Sequence, residues 1–223
     1  MISRAITKIS TTPAYQGEMD AQLRATLSAH LPKLAVRRFS ESGLQMAYVL
    51  HELALAQDTP LVVVSTFAET RSLEEFIDGF PAPSPARFQR SVQPSCVQQT
   101  RVVGNAPLRT FIPLAGQDGA MIAAVRTALT LDAPATCLAG VEEVGTWSVA
   151  IKAGTDTGFS FGLTLESAPA DPAATLGTLL WEPIADGPDS GTNTVLAFHK
   201  AVCERKPLVL SHPDMGRIEL SWK

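Results

Sequence analysis

Residues 60–66, "PLVVVST", form an unbroken apolar run dominated by β-branched side chains, with no polar face. A strand of this kind must be covered on both sides, so the chain has to supply helices above and below a sheet. The first 155 residues contain candidates. "SGLQMAYVLHELALAQ" (42–57) has helical apolar spacing at Leu44, Ala47, Tyr48 and His51, opened by a Ser42/Gln45 capping box. "RSLEEFIDGF" repeats the box with Ser72 and Glu75 and predicts a short helix ended near Gly79. "PAPSPARFQRSVQP" (81–94) reads as an ordered loop with a helical turn, and "SCVQQTRVVGN" as a helix stopped at Gly104–Asn105.

Further strands follow. "LRTFIPL" (108–114) and "PATCLAGVEEV" (134–144) read as buried strands, and "TWSVAIKAG" (146–154) as a fourth with some alternation. With a first strand in "RAITKIST", the order predicts an α/β fold, a mostly parallel sheet with helices on both faces. After residue 155 proline, glycine and acids become denser. Strand candidates "GFSFGLTLES", "TLGTLLWEPI", "PLVLS" and "GRIELSW" and a helix "TNTVLAFHKAVCERK" predict an irregular, β-rich segment. Residues 156–223 are thus expected to pack on the core formed by 1–155.

Several function classes lose support from composition. Among 223 residues the net charge is -4 and no basic run stands out, which argues against a nucleic-acid surface. No apolar stretch approaches the roughly 20 residues that span a bilayer, and the N-terminus has no secretory h-region. A cytoplasmic location is expected. Cys96, Cys137 and Cys203 are widely separated, and His30, His51, His199 and His212 form no ligand pattern. Neither a metal nor a cofactor is expected.

"PLAGQDGAMIAAVRTAL" (113–129) is the candidate site. A strand runs into a tight turn at Gly116-Gln117-Asp118-Gly119 and then into a helix over 118–131, with Met121, Ile122, Val125, Ala128 and Leu129 on one face. Asp118 is placed as its N-cap or first-turn acid. A cysteine at such a helix start becomes a thiolate nucleophile. Glutamine cannot attack, but it can donate hydrogen bonds to a carbonyl or carboxylate. A plain polar turn residue is the simpler reading.

The succession "VVVSTFAETRSLEEF", "ARFQRSVQPSC", "FIPLAGQDGAMIAAVRTAL", "TCLAGVEEVGTWSVAI" resembles the N-terminal half of a thiolase-fold β-ketoacyl synthase. More narrowly, it resembles the short β-ketoacyl synthase-like, N-terminal-domain family of aryl polyene gene clusters. The resemblance covers roughly residues 35–155. It places Gln117 where condensing enzymes hold the acyl-accepting cysteine and where chain-length factors are similar in having glutamine, and "LAGVEE" (138–143) at the end of the next strand. "SVQPSC" departs from the family's more usual "SVHNA" stretch. A full condensing enzyme is about twice as long, and nothing after residue 155 resembles the half that brings two histidines. Without thiol and histidines, Claisen condensation has neither an acyl-enzyme nor an enolate stabiliser.

The resemblance therefore implies a non-catalytic, chain-length-factor-like subunit. Its partners would be a full-length ketosynthase and the acyl carrier protein bearing the growing chain. Tunnel-facing residues would come from 81–96 and the helix 118–131. Two enzymatic readings stay open: a malonyl-thioester decarboxylase using Gln117, and a serine hydrolase. "GFSFG" (158–162) fits G-x-S-x-G around Ser160, with Asp186 or Asp189 and then His199 or His212 in hydrolase order. Against it, the alternation of Phe159, Phe161, Leu163 and Leu165 continues through the serine. Cys96, after Pro94 near a helix start, is a further candidate nucleophile. Cys137 and Cys203 read as packing residues, and His51 as a core histidine.

Overall fold

The computed structural model describes the whole chain except residues 68, 93, 105–107, 184–188 and 192–193, and the side chains of 101–104. Asp186 and Asn105 lie outside the described residues. The chain begins with β1 (Ile2–Thr11), β2 (Tyr15–Gln16), α1 (Ala21–Ser28), α2 (Lys33–Val36) and α3 (Glu41–Leu53). Then come β3 (Leu61–Ser65), α4 (Thr70–Ile77), α5 (Pro85–Ser91), α6 (Ser95–Gly104), β4 (Phe111–Ala115) and α7 (Ala120–Thr130). β5 (Ala135–Glu142), α8 (Trp147–Ala150), β6 (Thr157–Glu166), β7 (Gly177–Glu182), α9 (Thr194–Glu204), β8 (Leu208–His212) and β9 (Gly216–Trp222) complete it.

One sheet runs β4-β3-β5-β6-β1-β7-β9-β8, with β2 paired to β6. The α/β class and the helices on both faces hold, but among these strands only β4-β3-β5 pair in parallel. The other strand pairs are antiparallel, and an isolated parallel bridge joins Val144 to Thr155. Parallel neighbours need a long crossover, usually a helix. The link from β5 to β6 carries only the single turn of α8, and β8 and β9 form a hairpin. The sheet passes residue 155 without a break, because β6 lies between β5 and β1.

β3 is buried on both faces, as its run requires. Val62 and Val64 join the core around α7 and α9, whereas Leu61 and Val63 join the one beneath α3. β4 differs from the buried strand expected: it is an edge, half-exposed along its length. Leu61 N–H donates to Thr110 O and Gly116 N–H to Ser65 O, so the even residues face β3. Phe111, Pro113 and Ala115 then turn their backbone groups to the open edge, and Pro113 costs no ladder bond there.

Local details also depart from expectation. Residues 146–154 carry a helical turn, not a strand, because the Glu74 carboxylate accepts the N–H groups of Thr146 and Ser148. The N-cap of α3 is Ser40, whose Oγ accepts Gly43 N–H, and Ser42 sits inside the helix. Glu69 precedes α4, and Ser72 is likewise internal. The cap of α7 is Gly119 at φ 62°, with Asp118 outside the helix.

"GFSFG" has a packing explanation. Phe159, Phe161, Leu163 and Leu165 fill the core on one face of β6. On the other face Gly158, Ser160 and Gly162 let neighbours approach: a Cβ on Gly162 would sit 2.6 Å from Val49 and 2.7 Å from Leu53 of α3. Gly162→Val should lower stability by roughly 1–3 kcal/mol or more through overpacking, read as a lower urea midpoint. An unchanged midpoint would show that α3 is not held this close.

Candidate functional site

α7 is enclosed. Its Met121, Ile122, Val125, Ala128 and Leu129 are all buried, so this face lines no open channel. The sheet curls around it, and α7 touches β3, β4 and β5 at one end of the sheet and β7, β8 and β9 at the other. The turn before it is closed from the C-terminal side. A Cβ on Gly119 would meet Met215 Sδ at 2.5 Å, and Asp118 Oδ1 lies 3.2 Å from His212 Nε2. His212 Nδ1 accepts Asp214 N–H at 3.1 Å. Gln117 itself is exposed, and its Nε2 donates to Lys152 O at 3.4 Å. Gln117, Asp118 and Gly119 are thus one unit, tied to α8's far end and to the β8–β9 hairpin.

The remaining candidates are not arranged for attack. Ser160 is fully buried in mid-strand, its Oγ donating to Gly140 O at 2.9 Å and its N–H to Thr12 Oγ1 at 2.7 Å. The strand–turn–helix that a serine nucleophile needs is missing. Asp189 is exposed and accepts Gly191 N–H. His199 is buried against Phe159, with Nε2 3.2 Å from Thr12 O. Cys96 is buried, and burial, reinforced by the Glu69 carboxylate, pushes its thiol well above the ordinary value. The helix start does not make it a thiolate. Cys137 is buried in β5, whereas Cys203 is exposed. His51 is not a core residue; it lies exposed and stacks on His30 with ring centroids 4.3 Å apart.

Sequence reasoning missed four buried glutamates: Glu142 and Glu143 where β5 ends, Glu69 just before α4 and Glu74 within it. Glu142 accepts the N–H groups of Thr66 and Phe67. Glu143 accepts from Ser42 N–H and Oγ and from Ser72 N–H. Glu69 takes Cys96 N–H at 3.0 Å, and Glu74 takes Thr146 N–H at 2.7 Å and Ser148 N–H at 2.9 Å. The first turns of α3, α4, α6 and α8 therefore have donors satisfied by a carboxylate from elsewhere in the chain. The visible sequence signal was the acid pair of "GVEEV", closing a run otherwise fit for burial.

Among the described residues no helix is long and apolar enough to cross a membrane, and no group of three or more His, Cys, Asp or Glu is arranged to hold a metal. No family model matches the sequence, and no curated protein matches it significantly. Solved structures do match, and the fold this chain shares with the first of them is thiolase-like. The ketosynthase ApeO in complex with its chain length factor ApeC, from Xenorhabdus doucetiae, matches at TM-score 0.69 and 17% identity, over 99% of this chain and 100% of that one. PksG, an HMG-CoA synthase from Bacillus subtilis, matches at TM-score 0.44 and 8% identity, over 92% of this chain and 52% of its own. A 3-oxoacyl-(acyl-carrier-protein) synthase III matches at TM-score 0.39 and 11% identity, over 83% and 56%. The chain spans about half the length of these last two.

The carboxylates set a pH dependence. Burial raises Glu69 and Glu142 to about 7, against hydrogen bonds from Cys96 and from Thr66 and Phe67. In Glu74 burial also acts upward, but bonds from Ser148 and Thr146 outweigh it and hold the group below its usual value. Unfolded glutamate titrates near 4.3. Between that value and about 7 the folded chain keeps protons the unfolded chain has released, so this contribution is full below the unfolded value and is lost as pH rises through about 7. The urea midpoint should fall from about pH 5.5 to about pH 8. Glu69→Gln, which cannot ionise, should flatten that fall and gain on the order of 1 kcal/mol at the upper end. A midpoint rising over this range would contradict the burial assigned to these groups.

Proposed function

We propose that this chain is a non-catalytic, chain-length-factor-like subunit that pairs with a full-length ketosynthase in polyketide or fatty-acid-type chain elongation. The observation that carries this reading is the open edge of β4. It offers the N–H groups of Phe111 and Ala115 and the carbonyls of Phe111, Pro113 and Ala115, and it runs directly into the Gln117 turn. An uncovered edge is a template for another strand. Exposed apolar groups lie near the turn: Ile151 precedes Lys152, whose carbonyl Gln117 contacts, and Trp147 opens the same helical turn. On α4 and α5, Leu73, Ile77 and Phe88 are exposed, and Val92 follows them.

Two further points support the reading. The structure of a ketosynthase with its chain length factor contains a chain that this one matches end to end in both directions. The turn offers no nucleophile, since Gln117 can only donate and accept hydrogen bonds. In this role the subunit stabilises the ketosynthase and shapes the space into which an aryl polyene or related chain grows from an acyl carrier protein. The partner supplies cysteine and histidines, and Gln117 marks the silent counterpart of that site.

Co-expression with the ketosynthase encoded nearest to it, followed by light scattering on the purified material, tests the pairing. A stoichiometric heterodimer is expected. Ala115→Pro removes an outward N–H without touching the ladder to β3, and should weaken the heterodimer at least about tenfold while the isolated chain stays folded. A well-behaved lone monomer or homodimer in the presence of the ketosynthase would overturn the reading.

A further inference from the structure

A polar cleft of about 350 Å³ opens between α1, α3, α4 and α5, and no residue of the Gln117 turn lines it. Arg24 of α1, Arg71 of α4 and Arg90 of α5 line it, with Met19 and Phe39 as its apolar wall. The two kinds of charge in it are not equally satisfied. Glu41 accepts from Tyr15 Oη at 2.9 Å and from Met19 N–H, and Glu143 is taken up by Ser42 and Ser72. Each guanidinium carries five donors, and charge-assisted bonds to oxygen form at about 2.7–2.9 Å. Here Arg71 makes one long hydrogen bond, from Nη2 to Glu18 Oε1 at 3.4 Å, and the closest carboxylate oxygens stand at 3.7 Å from Arg24 and 3.9 Å from Arg90.

Glu75 shows what the site can hold. Its carboxylate lies between two guanidiniums, with Oε1 3.8 Å from Arg71 Nε and Oε2 3.9 Å from Arg90 Nη2. A planar monoanion on a helix-bound stem cannot close those gaps from one side. A tetrahedral dianion with three free oxygens can meet both forks at once, and Glu18, 84% exposed, is free to swing out. We propose that this cleft binds a phosphate-bearing small molecule through Arg24, Arg71 and Arg90. The space exceeds what a bare phosphate fills and falls in the range of small-molecule sites. The remainder of the ligand lies against Met19 and Phe39. The site stands independently of any pairing with a ketosynthase.

Titration calorimetry on the whole chain at low salt, with inorganic phosphate and with glycerol 3-phosphate, tests it. Saturable binding is expected, and Arg71→Ala and Arg90→Ala should each weaken it at least about tenfold. Glu75→Gln removes the competing carboxylate and should tighten it severalfold, a gain that loss of structure cannot mimic. Arg126→Ala, beside Trp181 and outside the cleft, should leave affinity unchanged. Equal affinity for both probes would assign recognition to the phosphoryl group alone; tighter glycerol phosphate would assign part of it to the organic arm. No binding of either probe up to about 10 mM, or binding indifferent to both arginine variants while circular dichroism stays native, would overturn the proposal.

Discussion

Four carboxylates taken out of water hold this molecule's loops in place. Helix starts and loops at the end of a sheet leave N–H groups without partners, and here Glu69, Glu74 and Glu143 accept those of helix starts and Glu142 those of the loop after β3, all from far away in sequence. The exchange couples parts that would otherwise be tied only by packing. Glu143 joins the first turn of α3 to that of α4, Glu142 pins the loop after β3, and Glu74 forms α8. Removing the Glu143 carboxylate would leave the buried N–H groups of Ser42 and Ser72 unpaired together, which is costlier than losing any one hydrogen bond. The loops at the carboxyl ends of β3 and β5 thereby become part of the rigid scaffold.

The sequence made the outline of the fold legible wherever hydrophobic period alone decides. "PLVVVST" became a doubly buried strand, the alternating phenylalanines of β6 filled one core, and the helix after Gln117 was found with its buried face intact. Strand direction was less accessible. A link of a dozen residues is compatible with a crossover until one knows that Glu74 turns part of it into α8. Caps were misplaced for a related reason. Ser42 and Ser72 have the spacing of local caps, yet both spend their hydrogen bonds on Glu143, about a hundred residues from the first and about seventy from the second. Long-range polar contacts leave no periodicity to read.

The candidate site was half legible. The glycines of the 116–119 turn announce themselves, because positive φ is cheap only for glycine, and Gly119 does adopt it. What closes on that turn was hidden: His212 and Met215 come from the last hairpin, and the sequence gives no hint of their arrival. The same holds for "GFSFG". Its glycines match a nucleophile elbow by pattern, but their neighbours Tyr15, Val49 and Leu53 explain them by size. A short motif says that small residues are needed; only the surrounding packing says for what.

The place of β1 bears on how the chain is made. Its two edges pair with β6 and β7, so the first ten residues of sheet have no partners until residues 157–182 exist. At ribosomal rates that interval is on the order of ten seconds. Throughout it the nascent chain carries a strand with both rows of amides free, the condition that invites pairing with a neighbouring polypeptide. The parallel trio β4-β3-β5 can assemble earlier, since all of its strands are complete by residue 142. The middle of the chain can therefore close its own sheet before β1 has either neighbour to pair with.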